Sequence, residues 1–540
     1  MLIFYIPQDA YILQKMTKKH KNESFELHKI MIKKRGIVRR RDTMDINVQI
    51  KQGILCGEQK QGYAQFLGIP YAKPPVGELR FRKPVPMEPW NGVRQAKEFT
   101  AYSIQPGEPE RVDRSIKGSE DCLTLNIYTP ACDTKKRPVV VWIHGGAYLT
   151  GNHTSATKLG GKMCIDSDIV VVTIQYRLGA LGCVNFAALS GANGRFDTNC
   201  VTWDQLAAVN WVIENICRFG GDPECITLMG ESAGACSVLT LITTPYLKGK
   251  IKRAVMDSPA PHLMHTPENG RLAALDMIHR LGITEEEAYK VADCSAEELA
   301  KVAEESMYDY VNHQPFLITT GPVVDGDLVP ELPYDAILHG AADGIELLIG
   351  TTKDEGTLFS QGKGKDLFPA STTQMNRFFA DHPQINKNEI IKLYPGYPNK
   401  KAFQEIGKEV FFHLPTLELA YHLAEHGKVY IFHFDYALPM LKWLGYGAVH
   451  CTNSALTSGV PVKGFLSWFA GKNGVLMQRR IHNYWCNFIA TGNPNGNGEP
   501  YWPECGKSRS TNFLDVECRI VEAPFEHERR IYGEIRPYGN

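Results

Sequence analysis

The sequence predicts an α/β fold, a large and mostly parallel central sheet flanked by helices and carrying helical insertions. Apolar runs at 139–143, 169–174, 226–229 and 253–256 lack polar–apolar alternation, which marks strands covered on both faces. A segment of helical spacing, 203–218, with Leu206, Val209, Ile213 and Ile216 along one stripe, lies between two of these runs. That gives a β–α–β unit. A third sign is the pentapeptide Gly230-Glu231-Ser232-Ala233-Gly234 between the 226–229 run and a helix-like run ended by Pro245.

Along the chain, residues 1–44 differ from the rest. Positions 15–41 hold eleven lysines and arginines against Glu23 and Glu26. They read as a basic extension, either disordered or translated from too early a start, with Met44 the alternative first residue; a basic tether is the sharper alternative. From Asp45 the pattern becomes regular, and residues 45–540 read as one α/β domain. The alternating segments 48–50 and 54–56 predict an antiparallel hairpin at a sheet edge. A Pro-rich loop follows, with prolines at 70, 74, 75, 84, 86 and 89. The strand runs and the helix described above come next. Residues 268–312, rich in Glu, Lys and Ala, predict a helical insertion, and strands return at 345–349 and 429–434.

Composition excludes several classes. Lys plus Arg and Asp plus Glu each number 59, so the overall charge points to neither nucleic acid nor an anionic membrane. No apolar run approaches the roughly 18 residues of a membrane span. Fourteen cysteines occur without a C-x-x-C pair or a zinc-like Cys/His spacing. Free thiols in a reducing, cytoplasmic setting are the expectation.

G-x-S-x-G between a strand and a helix is the nucleophile-elbow pattern. Small residues two places either side of the serine let strand and helix approach closely. Ser232 would then sit at a helix N-terminus, where developing negative charge is favoured. A serine hydroxyl needs a base oriented by a carboxylate. In such sheets these partners follow the carboxyl ends of later strands, in the order nucleophile, acid, histidine. After 345–349 stand Asp354 and Glu355, and both remain candidates. His433, within the 429–434 run, and His450, in the loop beyond it, compete for the base. His433 reads as a packed or solvated strand residue. Upstream, His144-Gly145-Gly146-Ala147 ends a buried strand with paired glycines. This loop offers backbone N–H groups to an oxyanion, with Ala147 tolerable because the donor is backbone, and His144 reads as structural.

Ser119-Glu120-Asp121-Cys122-Leu123-Thr124-Leu125-Asn126 resembles the E-D-C-L-x-L-N signature of type-B carboxylesterases, the cholinesterase-like branch of the α/β-hydrolases. Phe219-Gly220-Gly221-Asp222-Pro223 leading into the elbow is similar to that family's second signature. Further stations match at 66–72, 322–326 and 488–494, so the resemblance runs from about 46 to 535. It implies an α/β-hydrolase fold and a serine esterase with Ser232 as nucleophile, Glu355 as acid and His450 as base. Gly146, Ala147 and Ala233 match the oxyanion donors. The substrate it implies is a small-molecule carboxylic ester, with no metal or organic cofactor needed and no nucleic-acid partner. An amidase or a carbamate hydrolase would use the same triad. A non-catalytic cholinesterase-like interaction protein is the rival class, but such members commonly lack the nucleophile that is present here.

Departures from the family pattern surround this set. Cys451-Thr452-Asn453 stands where Gly-x-Glu usually follows the histidine. Asn199 to Gln205 (N-C-V-T-W-D-Q) replaces N-x-G-L-x-D-Q, and Asp257-Ser258-Pro259-Ala260 replaces Q-S-G-A. They bear on substrate range and on support of the histidine. Secreted members often pair the E-D-C-L cysteine with one upstream. The matching place here is Ser103, so Cys122 is expected to be a free thiol.

Overall fold

A computed structural model describes residues 44–109, 115–154, 157–261, 263–361, 364–459 and 465–533. The basic segment 1–43 lies outside the described residues, and no structure is assigned to it.

The strands are β1 (Met44–Gln49), β2 (Ile54–Lys60), β3 (Tyr63–Pro70), β4 (Val93–Gln95), β5 (Tyr102–Ser103), β6 (Gly118–Ser119), β7 (Thr124–Thr129) and β8 (Arg137–Ile143). They continue with β9 (Val170–Ile174), β10 (Gly221–Glu231), β11 (Arg253–Asp257), β12 (Glu346–Thr352), β13 (Val429–Phe434), β14 (Ser510–Leu514) and β15 (Arg519–Glu522). Thirteen of them form one sheet in the order β1-β2-β3-β7-β9-β8-β10-β11-β12-β13-β14-β15, with β4 on β2. From β9 to β14 every neighbouring pair is parallel. The expected hairpin is β1–β2, antiparallel and at the sheet edge.

The unalternating runs are buried on both faces because helices cover both. β9 and β11 are buried at every residue. Apolar side chains of β8 alternate between two core clusters, Val139 and Val141 in one and Val140 in the other. The helix Ala233–Thr243 is buried throughout, so its apolar residues need no stripe. The expected 203–218 helix spans Cys200–Asn215 and ends in a 3-10 turn, Ile216–Phe219. Its Asp204 forms a fully buried ion pair with Arg177, just beyond β9, at 2.6 Å. The 268–312 insertion comprises the helices Pro267–Arg280 and Ala296–Tyr310 joined by a 3-10 stretch, Glu285–Asp293. Ser295 and Glu298 form a capping box that starts the second helix.

Two strands run further than their sequence pattern. β12 continues through Gly350, Thr351 and Thr352 because those residues pair with Phe432, His433 and Phe434 of β13. β10 reaches Glu231, which pairs with Asp257 of β11. Ladder hydrogen bonds, which a periodicity reading does not see, set both ends. They bring the carboxyl ends of β8, β10, β11 and β12 level, through Ile143–Gly230, Gly230–Met256 and Asp257–Gly350.

Candidate active site

Ser232 leaves β10 and caps the helix Ala233–Thr243 with φ 58° and ψ −128°. This conformation is strained for a non-glycine residue and persists only where its surroundings enforce it. They do so here. The Ser232 N–H donates to the Asp257 carbonyl at 2.9 Å. A Cβ on Gly230 would lie 2.3 Å from the Gly234 carbonyl, and one on Gly234 would lie 2.2 Å from the Ile143 carbonyl oxygen. The glycines two places either side of the serine are therefore required by backbone contact.

Asp354 and Glu355 make different contacts. Glu355 is wholly buried. Its Oε1 accepts the Thr352 N–H at 2.6 Å, and its Oε2 shares a short hydrogen bond with His450 Nδ1. Asp354 instead ties down the loop that carries the histidine. Its N–H donates to the Ala448 carbonyl at 3.1 Å, and its Oδ2 accepts the Ala448 N–H at 2.7 Å. Gly447, at φ 75°, lies so close that a Cβ there would sit 2.1 Å from the same Oδ2. His433 is packed within β13, bonded to Asp435 at 2.5 Å, and burial pushes its imidazole down to about 4.

Electrostatics set apart the two members of the Glu355–His450 pair. Burial opposes charge on both. The His450 imidazole nevertheless holds the Glu355 carboxyl below its usual range. Glu355 and Glu231 together hold His450 above the ordinary histidine value despite its burial. Phe359 and Phe412 pack against the His450 ring, with centroids 5.0 and 4.8 Å away. Phe412 comes from a π-helical turn, Glu409–His413.

His450 Nε2, the nitrogen turned away from Glu355, makes no hydrogen bond. It lies 3.1 Å from Glu231 Oε1. The serine–histidine link is therefore not closed as a hydrogen bond, a state common where such links tighten only around substrate.

On the opposite side lies the turn after β8. Gly146 has φ 117°, and Ala147 and Tyr148 follow at 54° and 55°. Thr320 Oγ1 donates to the Ala147 carbonyl at 2.8 Å and fixes that peptide. A Cβ on Gly145 would lie 3.0 Å from Ser232 Cβ, so this backbone meets the serine directly. Ala233 opens its helix, and its N–H has no intrahelical acceptor. His144 stacks on Tyr176 at 4.3 Å, and burial lowers it to about 4, as suits a structural residue.

The carboxylesterase family model matches residues 44–530. The chain belongs to the carboxylesterase family. It is a carboxylic-ester hydrolase built on the α/β-hydrolase fold. A para-nitrobenzyl esterase of Bacillus subtilis is 32% identical over 499 residues, covering 89% of this chain and 97% of that protein. A mouse cholinesterase is 28% identical over 508 residues, covering 87% and 81%. Among solved structures, a PNB esterase superposes with TM-score 0.78 at 31% identity, covering 90% of this chain and 99% of its own. A carboxylesterase of Geobacillus stearothermophilus gives 0.77 at 33% identity, with the same coverage.

Within this carboxylesterase two of the departures noted in the sequence, at 451–453 and 257–260, lie near the histidine, whereas Asn199 bonds to Val323 and Asp325. Cys451 has φ 71°, and its thiol donates to Glu231 Oε1 at 2.6 Å. Asn453 is fully buried, with neither amide atom hydrogen-bonded. Burial first, then the nearby Glu231, pushes the Asp257 carboxyl well above the usual range. Its Oδ2 lies 3.2 Å from Ser454 Oγ. At Ser103 the hydroxyl lies against the Cys122 thiol, which burial raises to about 12, and all fourteen cysteines are free. Sequence reasoning flagged Cys451 as the departure next to the histidine but missed its contact with Glu231, and it missed Glu231, Phe359 and Phe412 as neighbours of the histidine. Of these, Glu231 carried a signal, as the variable position inside the pentapeptide.

Proposed function

We propose that this carboxylesterase hydrolyses small-molecule esters by two-step acyl transfer at Ser232, with His450 as the base and Glu355 as its orienting acid. His450 takes the Ser232 proton as Oγ attacks the ester carbonyl. The N–H groups of Gly146, Ala147 and Ala233 receive the oxyanion, and His450 then protonates the leaving alcohol. Water, deprotonated by the same imidazole, releases the acid and restores the serine. Glu355 fixes the tautomer that leaves Nε2 free to accept a proton, and it stabilises the imidazolium. No step calls on a metal or organic cofactor.

The observation that carries this reading is the buried Glu355–His450 hydrogen bond beside a serine held at φ 58°. Hydrolysis of short-chain p-nitrophenyl esters by the wild type and Ser232→Ala tests it. The substitution is expected to lower kcat by about 10⁴-fold or more, and equal rates would end the assignment.

We further propose that residues 45–540 act as one catalytic unit and that residues 1–44 are an extension to it. Mass spectrometry of the native N-terminus tests that boundary. Among the described residues, no helix is long and apolar enough to cross a membrane. The free thiols, including Cys122 beside Ser103, support a cytoplasmic location.

A further inference from the structure

Glu231, His450 and Cys451 present a carboxylate oxygen, an imidazole nitrogen and a thiol sulfur that all lie within 4.8 Å of one another. Cys451 Sγ is 2.6 Å from Glu231 Oε1, and His450 Nε2 is 3.1 Å from the same oxygen. Nε2 is buried, makes no hydrogen bond and lies within this cluster. We infer that these three side chains form an inhibitory binding site for a soft divalent cation of the zinc or cadmium class.

The donor set selects the class. Thiolate with imidazole favours Zn²⁺ and Cd²⁺, whereas Mg²⁺ and Ca²⁺ require oxygen ligands. In a tetrahedral zinc site, neighbouring donor atoms stand about 3.3 to 3.6 Å apart, given Zn–S near 2.3 Å and Zn–N or Zn–O near 2.0 to 2.2 Å. The Cys451–Glu231 and His450–Glu231 separations need to open by about 1 Å or less, and the Cys451–His450 separation, at most 4.8 Å, to close by about 1 Å, chiefly by rotation of the Cys451 side chain. Charge also fits. A thiolate and a carboxylate balance the charge of a divalent ion. A water molecule would complete the tetrahedral shell.

Binding moves one proton and no electrons. The Cys451 thiol releases its proton to solvent, sulfur donates a lone pair to the cation, and nothing is oxidised. His450 donates its Nε2 lone pair to the same ion and can no longer accept the serine proton. Bound metal therefore stops the reaction, and a chelator restores it. The inhibitory consequence rests on the proposed role of His450, whereas the binding site itself does not.

The decisive variant is Cys451→Gly. It removes one ligand at a position whose φ of 71° glycine adopts without strain, and Cys451→Ser serves as a second variant that keeps a side chain. Full-length protein is titrated with Co²⁺ while thiolate-to-cobalt charge-transfer absorption is followed, and p-nitrophenyl acetate hydrolysis is measured against added Zn²⁺ with and without EDTA. Both variants are expected to bind one equivalent fewer of cobalt in thiolate coordination and to be about 100-fold less sensitive to Zn²⁺, by loss of one direct ligand. Equal cobalt spectra and equal inhibition in wild type and variants would overturn the site. If the cobalt difference appears in a protein with no esterase activity, the metal site stands and the acyl-transfer reading falls. Metal-insensitive activity without the cobalt difference leaves acyl transfer standing and removes the site.

Discussion

Glu231 is the group through which the structure departs furthest from a bare triad, and Glu231→Gln isolates its effect. The proposed acyl transfer needs a neutral His450 imidazole, and a carboxylate beside Nε2 favours the imidazolium. Removing that negative charge should therefore lower the His450 pKa and move the acidic limb of the pH–kcat/KM profile to lower pH. At 3.1 Å, with both side chains almost fully buried, Coulomb's law gives about 1.3 kcal/mol even with the dielectric constant of bulk water. This corresponds to about one pKa unit for an ionised Glu231, whose own carboxyl is raised by burial. Glu355 remains in the variant, so the imidazole keeps one carboxylate partner, and the limb should still report a single dominant titration. The assay is kcat/KM for a p-nitrophenyl ester across the limb, in buffer containing a chelator, since kcat/KM reports groups of the free enzyme. Its midpoint is read independently of amplitude, so a general loss of rate does not obscure the result. A shift of less than about 0.3 units, or an upward one, would refute the coupling.

Two further perturbations test the scaffold. Gly145→Ala places a Cβ 2.4 Å from the Glu231 carbonyl oxygen and 3.0 Å from Ser232 Cβ. It should destabilise the fold by about 1 to 3 kcal/mol and lower kcat/KM, as read by thermal unfolding and ester hydrolysis; unchanged values would mean that the close approach is not required. Asp354→Ala leaves the Ala448 N–H without its acceptor, at a cost of about 1 to 3 kcal/mol. It should lower kcat about tenfold or more through misplacement of His450, with the pH midpoint nearly unmoved. Full activity would show that the loop holds the histidine without this tie.

Where side-chain periodicity or backbone sterics alone decide, the sequence was readable. The runs at 139–143 and 429–434 match β8 and β13 closely because each is buried on both faces, and helix caps such as Ser295 with Glu298 carry their own local signal. Strand ends were less readable. β12 extends to Thr352 because β13 supplies ladder partners that no window of sequence contains. Asp354 and Glu355 illustrate the same limit at the site. They are adjacent acids in one loop, and nothing local says which one faces a histidine.

The sequence by itself determined the fold class, the elbow with its two close-packing glycines, and the order serine, acid, histidine along the chain. The first two follow from local steric constraints and burial patterns, and the order from the nucleophile-elbow pattern, with its particular residues implied by the family resemblance. Tertiary structure alone gave Glu355 the hydrogen bond to His450 and Asp354 the grip on its loop. It also brought Glu231 against Cys451, 220 positions away in sequence. Those contacts depend on parallel register across β10, β11 and β12 and on how loops at their carboxyl ends fold over one another. Local propensity does not encode distances between such loops.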